Sequence, residues 1–142
     1  MANQMYDAYR NSLYGVVIHS AVDLDTDDIR VVMYDEGADA LNMADQDLAD
    51  ITAGARIAVT ANLASKTVGV VAVGTFDHAD TVTAGVTGAS IESLTYYKHT
   101  GTDSTSPLIW NIDTWTGLPL TPNGGSVTLA PHANGVNQQT GL

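Results

Sequence analysis

The chain has no cysteine among its 142 residues, so it offers no disulfide, no zinc–thiolate site and no thiol nucleophile. It also has no apolar run near the roughly 20 residues that a helix needs to span a membrane. Its start, MANQMYDAYRNS, lacks the basic and then apolar order of a signal peptide. These absences predict a product of the cytosol, or one built into an assembly, with no membrane partner.

Basic residues are scarce, because five Lys and Arg stand against sixteen Asp and Glu, for a formal net charge of −11. Affinity for nucleic acid rests on Lys and Arg that neutralise phosphates, so direct binding to nucleic acid is not expected. Ten of the sixteen acids lie between Asp23 and Asp50, which localises the charge and suits a basic partner. The 44% hydrophobic content indicates a folded chain, and the length fits one domain.

The acidic segment DLDTDD, at residues 23–28, begins like the calcium-binding loop of an EF-hand. Asp28 stands where that loop needs glycine, and Tyr34 stands where it needs a bidentate Glu. A solvated acidic turn before a strand is therefore the favoured interpretation, and calcium binding stays open.

Motifs for catalysis are weak. There is no Gly-x-Ser-x-Gly elbow and no phosphate-binding glycine loop. The closest cluster is His78 with Asp77 and Asp80, and a polar turn between strands is the favoured interpretation. We therefore expect no enzyme, no cofactor and no metal, and keep a small hydrolase that uses His78 and Asp80 as an alternative.

Hydrophobic periodicity predicts a mainly β protein. Met5, Tyr9 and Leu13 predict a helix over residues 3–14, and an apolar stripe predicts a second, short helix or helical loop over residues 37–51. Strands are predicted over residues 16–21, 28–34, 56–61, 66–76, 89–98, 108–113 and 126–130. Six to eight short strands with turn signals between them predict an antiparallel β-sandwich or barrel.

Two tryptophans flank Asp113. Alternation in the strand 108–113 places Leu108, Trp110 and Ile112 on one face, which predicts core packing for Trp110. Trp115 follows in a loop, where edge packing or a contact between subunits is expected. Stacking on a sugar or a base is the alternative for these aromatic side chains.

Six segments follow one another in an order that carries a family resemblance. They are DLDTDDIRVVMYD, DITAGARIAV, SKTVGVV, TFDHADTVT, YYKHTGTDSTSPLIWNID and TGLPLTPNGGSVTL. Together they span most of residues 6–130 and resemble small virion structural proteins of tailed bacteriophages, most of all the capsid cement (decoration) proteins of short-tailed phages. The resemblance implies a jelly-roll-like antiparallel sandwich over residues 1–130. After the last turn, where a final apolar strand is expected, APHANGVNQQTGL favours a polar C-terminal arm over residues 131–142.

The resemblance also implies a function. A cement protein is made in the cytoplasm of the bacterial host, binds the major capsid protein on the outer capsid surface, forms a homodimer and stabilises the mature head without catalysis. The residues expected to contact the capsid or the second copy are Tyr6, Tyr9, Trp115, Leu118, Pro119, Pro131 and Leu142. A tail- or fibre-associated β-module that binds a host glycan is the alternative from another class.

Overall fold

The computed structural model describes residues 4–13, 21–70 and 73–136. Within these ranges the chain is mainly β, as predicted, with a single α-helix. The elements in chain order are β1 (Gln4–Met5), α1 (Asp7–Ser12), β2 (Ile29–Tyr34), 3₁₀ helices at Leu48–Asp50 and Ala53–Ala55, β3 (Arg56–Val59), β4 (Thr67–Val68), β5 (Phe76–Asp77), β6 (Thr81–Thr83), β7 (Ser93–Lys98), a 3₁₀ helix at Asp103–Thr105, β8 (Leu108–Ile112) and β9 (Val127–Leu129).

Five strands form the main sheet, in the order β1-β8-β7-β2-β3, with every neighbouring pair antiparallel. Its centre is the run Val31, Tyr96 and Trp110, which pair across β2, β7 and β8. These strands are rich in β-branched and aromatic residues, which fit a pleated surface. Both faces of the sheet are covered, and this explains why β2 and β8 are apolar almost without interruption.

One face of the main sheet, the aromatic face, carries the larger core. Two small antiparallel sheets, β4-β5 and β6-β9, contribute Phe76 and Leu129 to it. Ring centroids of Phe76 and Trp110 lie 5.5 Å apart in an edge-to-face arrangement, which is favourable for aromatic pairs. The buried residues of this hydrophobic core, among those that the structure describes, are Tyr9, Ile29, Val31, Met33, Leu63, Phe76, Val86, Ile91, Leu94, Tyr96, Ile109, Trp110, Ile112, Leu129 and Val136.

The opposite face, the network face, combines apolar packing with a buried polar cluster. Its apolar members include Val32, Tyr34 and Tyr97, covered by Leu48 and Ile51 from an irregular segment. The polar cluster consists of Tyr6, Ser93, Thr95 and Asn111, each no more than 2% exposed. Asn111 Nδ2 donates to Ser93 Oγ and Thr95 Oγ1, each at 2.9 Å, and the Tyr6 and Thr95 hydroxyls lie 3.2 Å apart.

A bulge changes which face Leu108 occupies. Tyr96 pairs with Trp110 while Tyr97 pairs with Leu108, so Ile109 is an extra residue in β8. Leu108 therefore packs on the network face, whereas Trp110 and Ile112 pack on the aromatic face. The prediction that these three side chains share one face is wrong for Leu108, because strict alternation does not allow for a bulge.

A short helix or a helical loop was predicted over residues 37–51. No α-helix forms there, and the helical part is a 3₁₀ turn at Leu48–Asp50. Two acids of this segment accept hydrogen bonds from backbone amides: Asp39 Oδ2 accepts from Thr52 N at 2.7 Å, and Asp50 Oδ2 accepts from Gln46 N at 2.8 Å. Asp side chains compete with helical hydrogen bonding in this way. Leu48 and Ile51 still reach the core, so their apolar spacing reflects burial without a helix.

The single strand predicted over residues 66–76 is also wrong, because the chain turns back on itself there. Val68 of β4 pairs with Phe76 of β5, and Gly69 N donates to Thr75 O at 2.8 Å. Gly69 and Gly74 adopt positive φ values of 70° and 78°, which glycine reaches without steric cost. The run of valines is therefore a hairpin with exposed side chains.

The N-terminal helix is confirmed in a shorter form, Asp7–Ser12, with Gln4 and Met5 joined to β8 as β1. Residues 16–20 of the strand predicted over 16–21 lie outside the described residues, as do residues 137–142 of the predicted arm. Across the described ranges, no helix has the length and apolar character that crossing a membrane requires.

Candidate binding surface around Trp115

The chain leaves the main sheet after β8 and forms a loop, residues 113–120, here called the Trp loop. Trp115 and Leu118 are half-buried against the aromatic-face core, and Pro119, which follows a cis peptide bond, is exposed. Leu118 N donates to Trp115 O at 3.0 Å, which closes a turn through Gly117 at φ 102°. The far end is tied down by the mutual backbone bonds of Leu120 and Ile91, at 2.8 and 2.9 Å.

Two cavities open at the Trp loop, and Trp115 and Thr116 line both. The first, the polar cavity, has a volume of about 260 Å³ and includes hydroxyl and imidazole groups. The second, the apolar cavity, has a volume of about 270 Å³ and contains no charged residue in its lining. The apolar members of this second lining are Met33, Ile91, Leu94, Leu118, Leu120, Val127 and Leu129.

The wall of the polar cavity is formed by a turn at residues 132–135. His132 Nδ1 accepts from Asn134 N at 3.2 Å, which leaves the proton of a neutral imidazole on Nε2. Gly135 has φ 90°, and a Cβ there would lie 2.9 Å from Phe76 O, so glycine is required. Val136 N then donates to Phe76 O at 2.8 Å, which fixes this wall to β5.

Several residues predicted as contacts come together here. Trp115 and Leu118 lie in the Trp loop and line its cavities, and Pro119 follows directly. Pro131 is half-buried between Ala130 and His132, which both line the polar cavity. The loop and the beginning of the predicted arm, distant in sequence, therefore form one surface.

The other predicted contact residues lie elsewhere. Tyr6 is fully buried on the network face, and Tyr9 is buried beside Trp110, with ring centroids 6.4 Å apart. Burial raises the pKa of both phenols, so each stays protonated and able to donate a hydrogen bond at neutral pH. Both tyrosines serve the fold, and Leu142 lies outside the described residues.

His78 is a buried residue of the aromatic face. Its Nδ1 lies 2.8 Å from Ala79 O and its Nε2 lies 3.0 Å from Tyr96 Oη. A carbonyl only accepts, so Nδ1 carries the proton and Nε2 accepts from the Tyr96 hydroxyl. Burial lowers the pKa of His78, while Asp80 is exposed. The ring is thus enclosed between Phe76 and Tyr96 and does not meet Asp80 in a cleft.

The acidic turn at residues 23–28 is held by ion pairs and backbone bonds. Asp27 Oδ2 accepts from Asp23 N at 2.7 Å and from Lys98 Nζ at 2.9 Å. Asp28 makes a two-point contact with the Arg30 guanidinium, which lowers the pKa of that carboxyl. In the parts of the chain that the structure covers, no three His, Asp or Glu side chains are grouped to hold a metal ion.

Sequence reasoning missed half of the surface around the Trp loop. It did not anticipate the Leu120–Ile91 bridge or the contribution of Val127 and Leu129, because these contacts join segments distant in sequence. His132 lies within the predicted arm of residues 131–142, but its place in a cavity lining was not predicted. A local signal existed there, since His-Ala-Asn-Gly ends in glycine and reads as a turn.

No protein-family model matches this chain, and no curated protein matches it. The ligand of the surface around the Trp loop is therefore inferred from the residues that form it.

Proposed function

We propose that this chain is a non-catalytic capsid cement protein of a tailed phage. It binds the outer surface of the shell that the major capsid protein forms, acts as a homodimer and stabilises the mature head. The observation that carries the proposal is the Trp loop. It places Trp115 in the lining of both cavities and Leu118 in the lining of the apolar cavity, and it presents Pro119 to solvent.

A Trp loop that contributes to two cavities fits a binding role because large aromatic anchors that fill pockets dominate protein interfaces. Trp115 is held by the backbone turn to Leu118, so little conformational entropy is lost when a partner covers it. A partner segment inserted into the apolar cavity would bury Leu118, Leu120 and Val127 without burying a charge. These features support protein–protein contact at this surface.

The fold and the charge are compatible with a position on a shell. The main sheet and the two small sheets enclose the aromatic-face core, and a jelly-roll-like sandwich is the arrangement we propose for them. The net charge of −11 favours a soluble exterior and a basic patch on the capsid partner. The resemblance of residues 6–130 to decoration proteins is the reason for proposing a location on a phage head.

Stabilisation would operate by mass action. A protein that binds the mature shell and not its precursor shifts the equilibrium towards the mature shell. Many copies act on one particle, and bivalent dimers raise the effective concentration of each second contact. Each single interface can then be modest in size.

The direct test is binding of the purified chain to phage shells assembled without it, measured by co-sedimentation over a concentration series. Trp115→Ala and Leu118→Ala are expected to weaken binding at least tenfold, which corresponds to about 1.4 kcal/mol. Leu13→Ala is the matched control for the leucine change, because Leu13 is 58% exposed and lies outside the Trp loop. Wild-type protein that fails to bind shells, or Trp-loop variants that bind like wild type, would overturn the proposal.

The polar cavity favours one alternative, a tail- or fibre-associated module that binds a host glycan. An indole beside the hydroxyl of Thr116 and the imidazole of His132 offers a stacking surface with hydrogen-bonding groups at its edge. This alternative predicts a signal on a glycan array that Trp115→Ala removes, together with no affinity for shells. The cement proposal predicts the reverse of both results.

A further inference from the structure

Residues 76–79, here called the latch segment, connect the two small sheets that cover the aromatic face. The segment begins in β5, which pairs with β4, and ends just before β6, which pairs with β9. It carries His78, which is 5% exposed and therefore enclosed by the fold. The charge of this one side chain acts where both covering sheets meet the main sheet.

The hydrogen bonds of His78 fit the neutral imidazole alone. Nδ1 donates to Ala79 O at 2.8 Å, and Nε2 accepts from the Tyr96 hydroxyl at 3.0 Å. Tyr96 is fully buried, and within the described ranges its hydroxyl has no other hydrogen-bond partner. An imidazolium would donate from Nε2 and would leave the Tyr96 proton without an acceptor, which is costly for a buried group.

Three charged residues act on His78 with opposing effects. Asp77 on β5 and Asp80 in the following turn favour the imidazolium, whereas Lys66, next to β4, opposes it. The two aromatic rings that enclose the imidazole have their centroids 5.9 Å from it, which is near enough for a weak attraction to a cation. Burial outweighs these attractions and lowers the pKa of His78.

The backbone of the latch segment holds two other parts of the molecule. Ala79 N donates to Ala64 O at 2.9 Å, which ties the segment to the loop before β4. Phe76 O accepts from Val136 N at 2.8 Å, and Val136 lines the polar cavity. Opening of the latch segment therefore breaks both bonds and releases the wall of the polar cavity.

We propose that the latch segment is an acid-sensitive latch, closed while His78 is neutral and opened when His78 takes up a proton. Opening gives the imidazolium access to water, so the charge no longer has to be buried. The wall of the polar cavity then loses its anchor, and the surface around the Trp loop loses affinity for its partner. The latch stands independently of the capsid assignment; only its effect on partner binding rests on the proposed function.

The pH range of opening follows from proton linkage. Because burial lowers the native pKa of His78, the open segment binds a proton more readily than the closed one below the ordinary histidine pKa of about 6.5. The latch is therefore fully closed above that pH and loosens as the pH falls towards the native pKa. Each pH unit within that range multiplies the open population by up to about tenfold.

Hydrogen exchange of single amides, followed by NMR and corrected for the intrinsic exchange rate, tests the latch. The amides of Ala79 and Val136 report on its two ties, and the amide of Tyr6, bonded to Ile109 O at 3.0 Å, reports on the main sheet. Exchange of the two latch amides is expected to accelerate at least about tenfold between pH 7 and pH 5. At pH 5 both should be clearly less protected than Tyr6, because they open without global unfolding.

Three variants assign the acceleration to a residue. His78→Gln can still accept from the Tyr96 hydroxyl but does not titrate, so it is expected to abolish the acceleration. Tyr96→Phe keeps the ring and removes the hydroxyl that an imidazolium leaves unpaired, so it should reduce the acceleration, and it decides the matter alone if the glutamine variant does not fold. Asp80→Asn is the matched control, which changes a neighbouring charge and should keep the acceleration.

Two results would overturn the latch. Equal protection of Ala79, Val136 and Tyr6 at pH 5 would show that the segment opens only with the whole protein. An acceleration in His78→Gln or Tyr96→Phe as large as in the wild type would assign it to other groups.

Binding to shells tests the consequence for the Trp loop separately. The affinity of the wild type is expected to fall at least about fivefold between pH 7 and pH 5, and that of His78→Gln is expected to fall less. An equal fall in both proteins would refute control of the Trp loop by the latch. Acid opening in a protein that binds no shell at either pH would confirm the latch and refute the cement proposal.

Discussion

The two faces of the main sheet are stabilised in different ways. The aromatic face is covered by other strands and is filled by large rings, with Phe76, Tyr96 and Trp110 in mutual contact. The network face is covered by an irregular segment and contains buried hydroxyl and amide groups on Tyr6 and Asn111. One side therefore depends on apolar area and shape, whereas the other depends on the completeness of its hydrogen bonds.

The difference shows how an acidic, loop-rich segment can cover a sheet without regular structure. Arg56 donates to Leu48 O at 2.6 Å and to Ile51 O at 2.6 and 2.9 Å, which holds the carbonyls that a helix would have satisfied. It also pairs with Asp103 at 2.5 Å from the next loop. Hydrogen bonds from a charged donor are stronger than those from a neutral donor. The Arg56 side chain therefore compensates for part of the backbone hydrogen bonding that a helix would have provided.

The largest expected effect lies on the aromatic face. Trp110→Ala removes a ring that contacts Tyr9, Phe76 and Tyr96, and should lower the free energy of unfolding by about 3–5 kcal/mol. Denaturant unfolding followed by circular dichroism measures this change. A loss below about 1 kcal/mol would mean that this face is not the main apolar core.

A smaller effect is expected on the network face. Asn111→Ala leaves the buried hydroxyls of Ser93 and Thr95 without their amide donor. We expect it to lower the free energy of unfolding by about 2 kcal/mol. Repeating the change in a Ser93→Ala and Thr95→Val background should reduce the cost, since the partners left unpaired are gone. Equal costs in both backgrounds would show that packing, not the polar cluster, stabilises this face.

The third prediction concerns the irregular segment that covers the network face, where we expect a loss of about 1 kcal/mol in the free energy of unfolding. Asp50→Ala removes the acceptor for Gln46 N and Asp47 N, at 2.8 and 3.1 Å, and with it the capping box of the 3₁₀ turn. Thermal unfolding should register the loss, while Asp80→Ala, a change at an exposed aspartate, should not. Equal behaviour of the two variants would refute the role of these carboxylates as backbone caps.

The smallest expected effect is a pH dependence from His78. Burial lowers its native pKa, so the unfolded chain binds more protons than the native one below the unfolded pKa of about 6.5. Its contribution to stability is complete above that pH and is lost as the pH falls towards the native pKa, by up to about 0.7 kcal/mol between pH 7 and pH 6. His78→Gln should flatten this slope. An unchanged slope in His78→Gln would contradict a neutral buried imidazole.

Sequence periodicity predicted β2 and β8 of the main sheet well, because each is a nearly unbroken run of apolar residues. Residues 28–34 and 108–113 match β2 and β8 closely, since burial on both faces selects apolar, β-branched and aromatic residues. The strand of residues 81–83 was missed, because Thr81–Thr83 is short and its partner β9 lies far along the chain. The bulge at Ile109 and the caps in residues 37–51 depend on tertiary contacts that no local period contains.

The candidate site was predictable in part. Trp115, Leu118 and Pro119 stood out as aromatic and apolar residues in a loop. The structure places Trp115 in the lining of both cavities and Leu118 in the lining of one, and Pro119 follows Leu118 at the surface. Tyr6 and Tyr9 stood out equally and are buried instead, because helix periodicity does not show which stripe meets the core. The exposed valines were hidden within an apparent strand, whose apolar run resembles a buried one.

The most direct test of the central claim is cryo-electron microscopy of the intact particle that contains this chain. The account predicts many copies on the capsid exterior, paired across two-fold axes, with the Trp loop against the major capsid protein. Density for a few copies at the tail, or for none on the head, would contradict the cement assignment and favour the glycan-binding alternative.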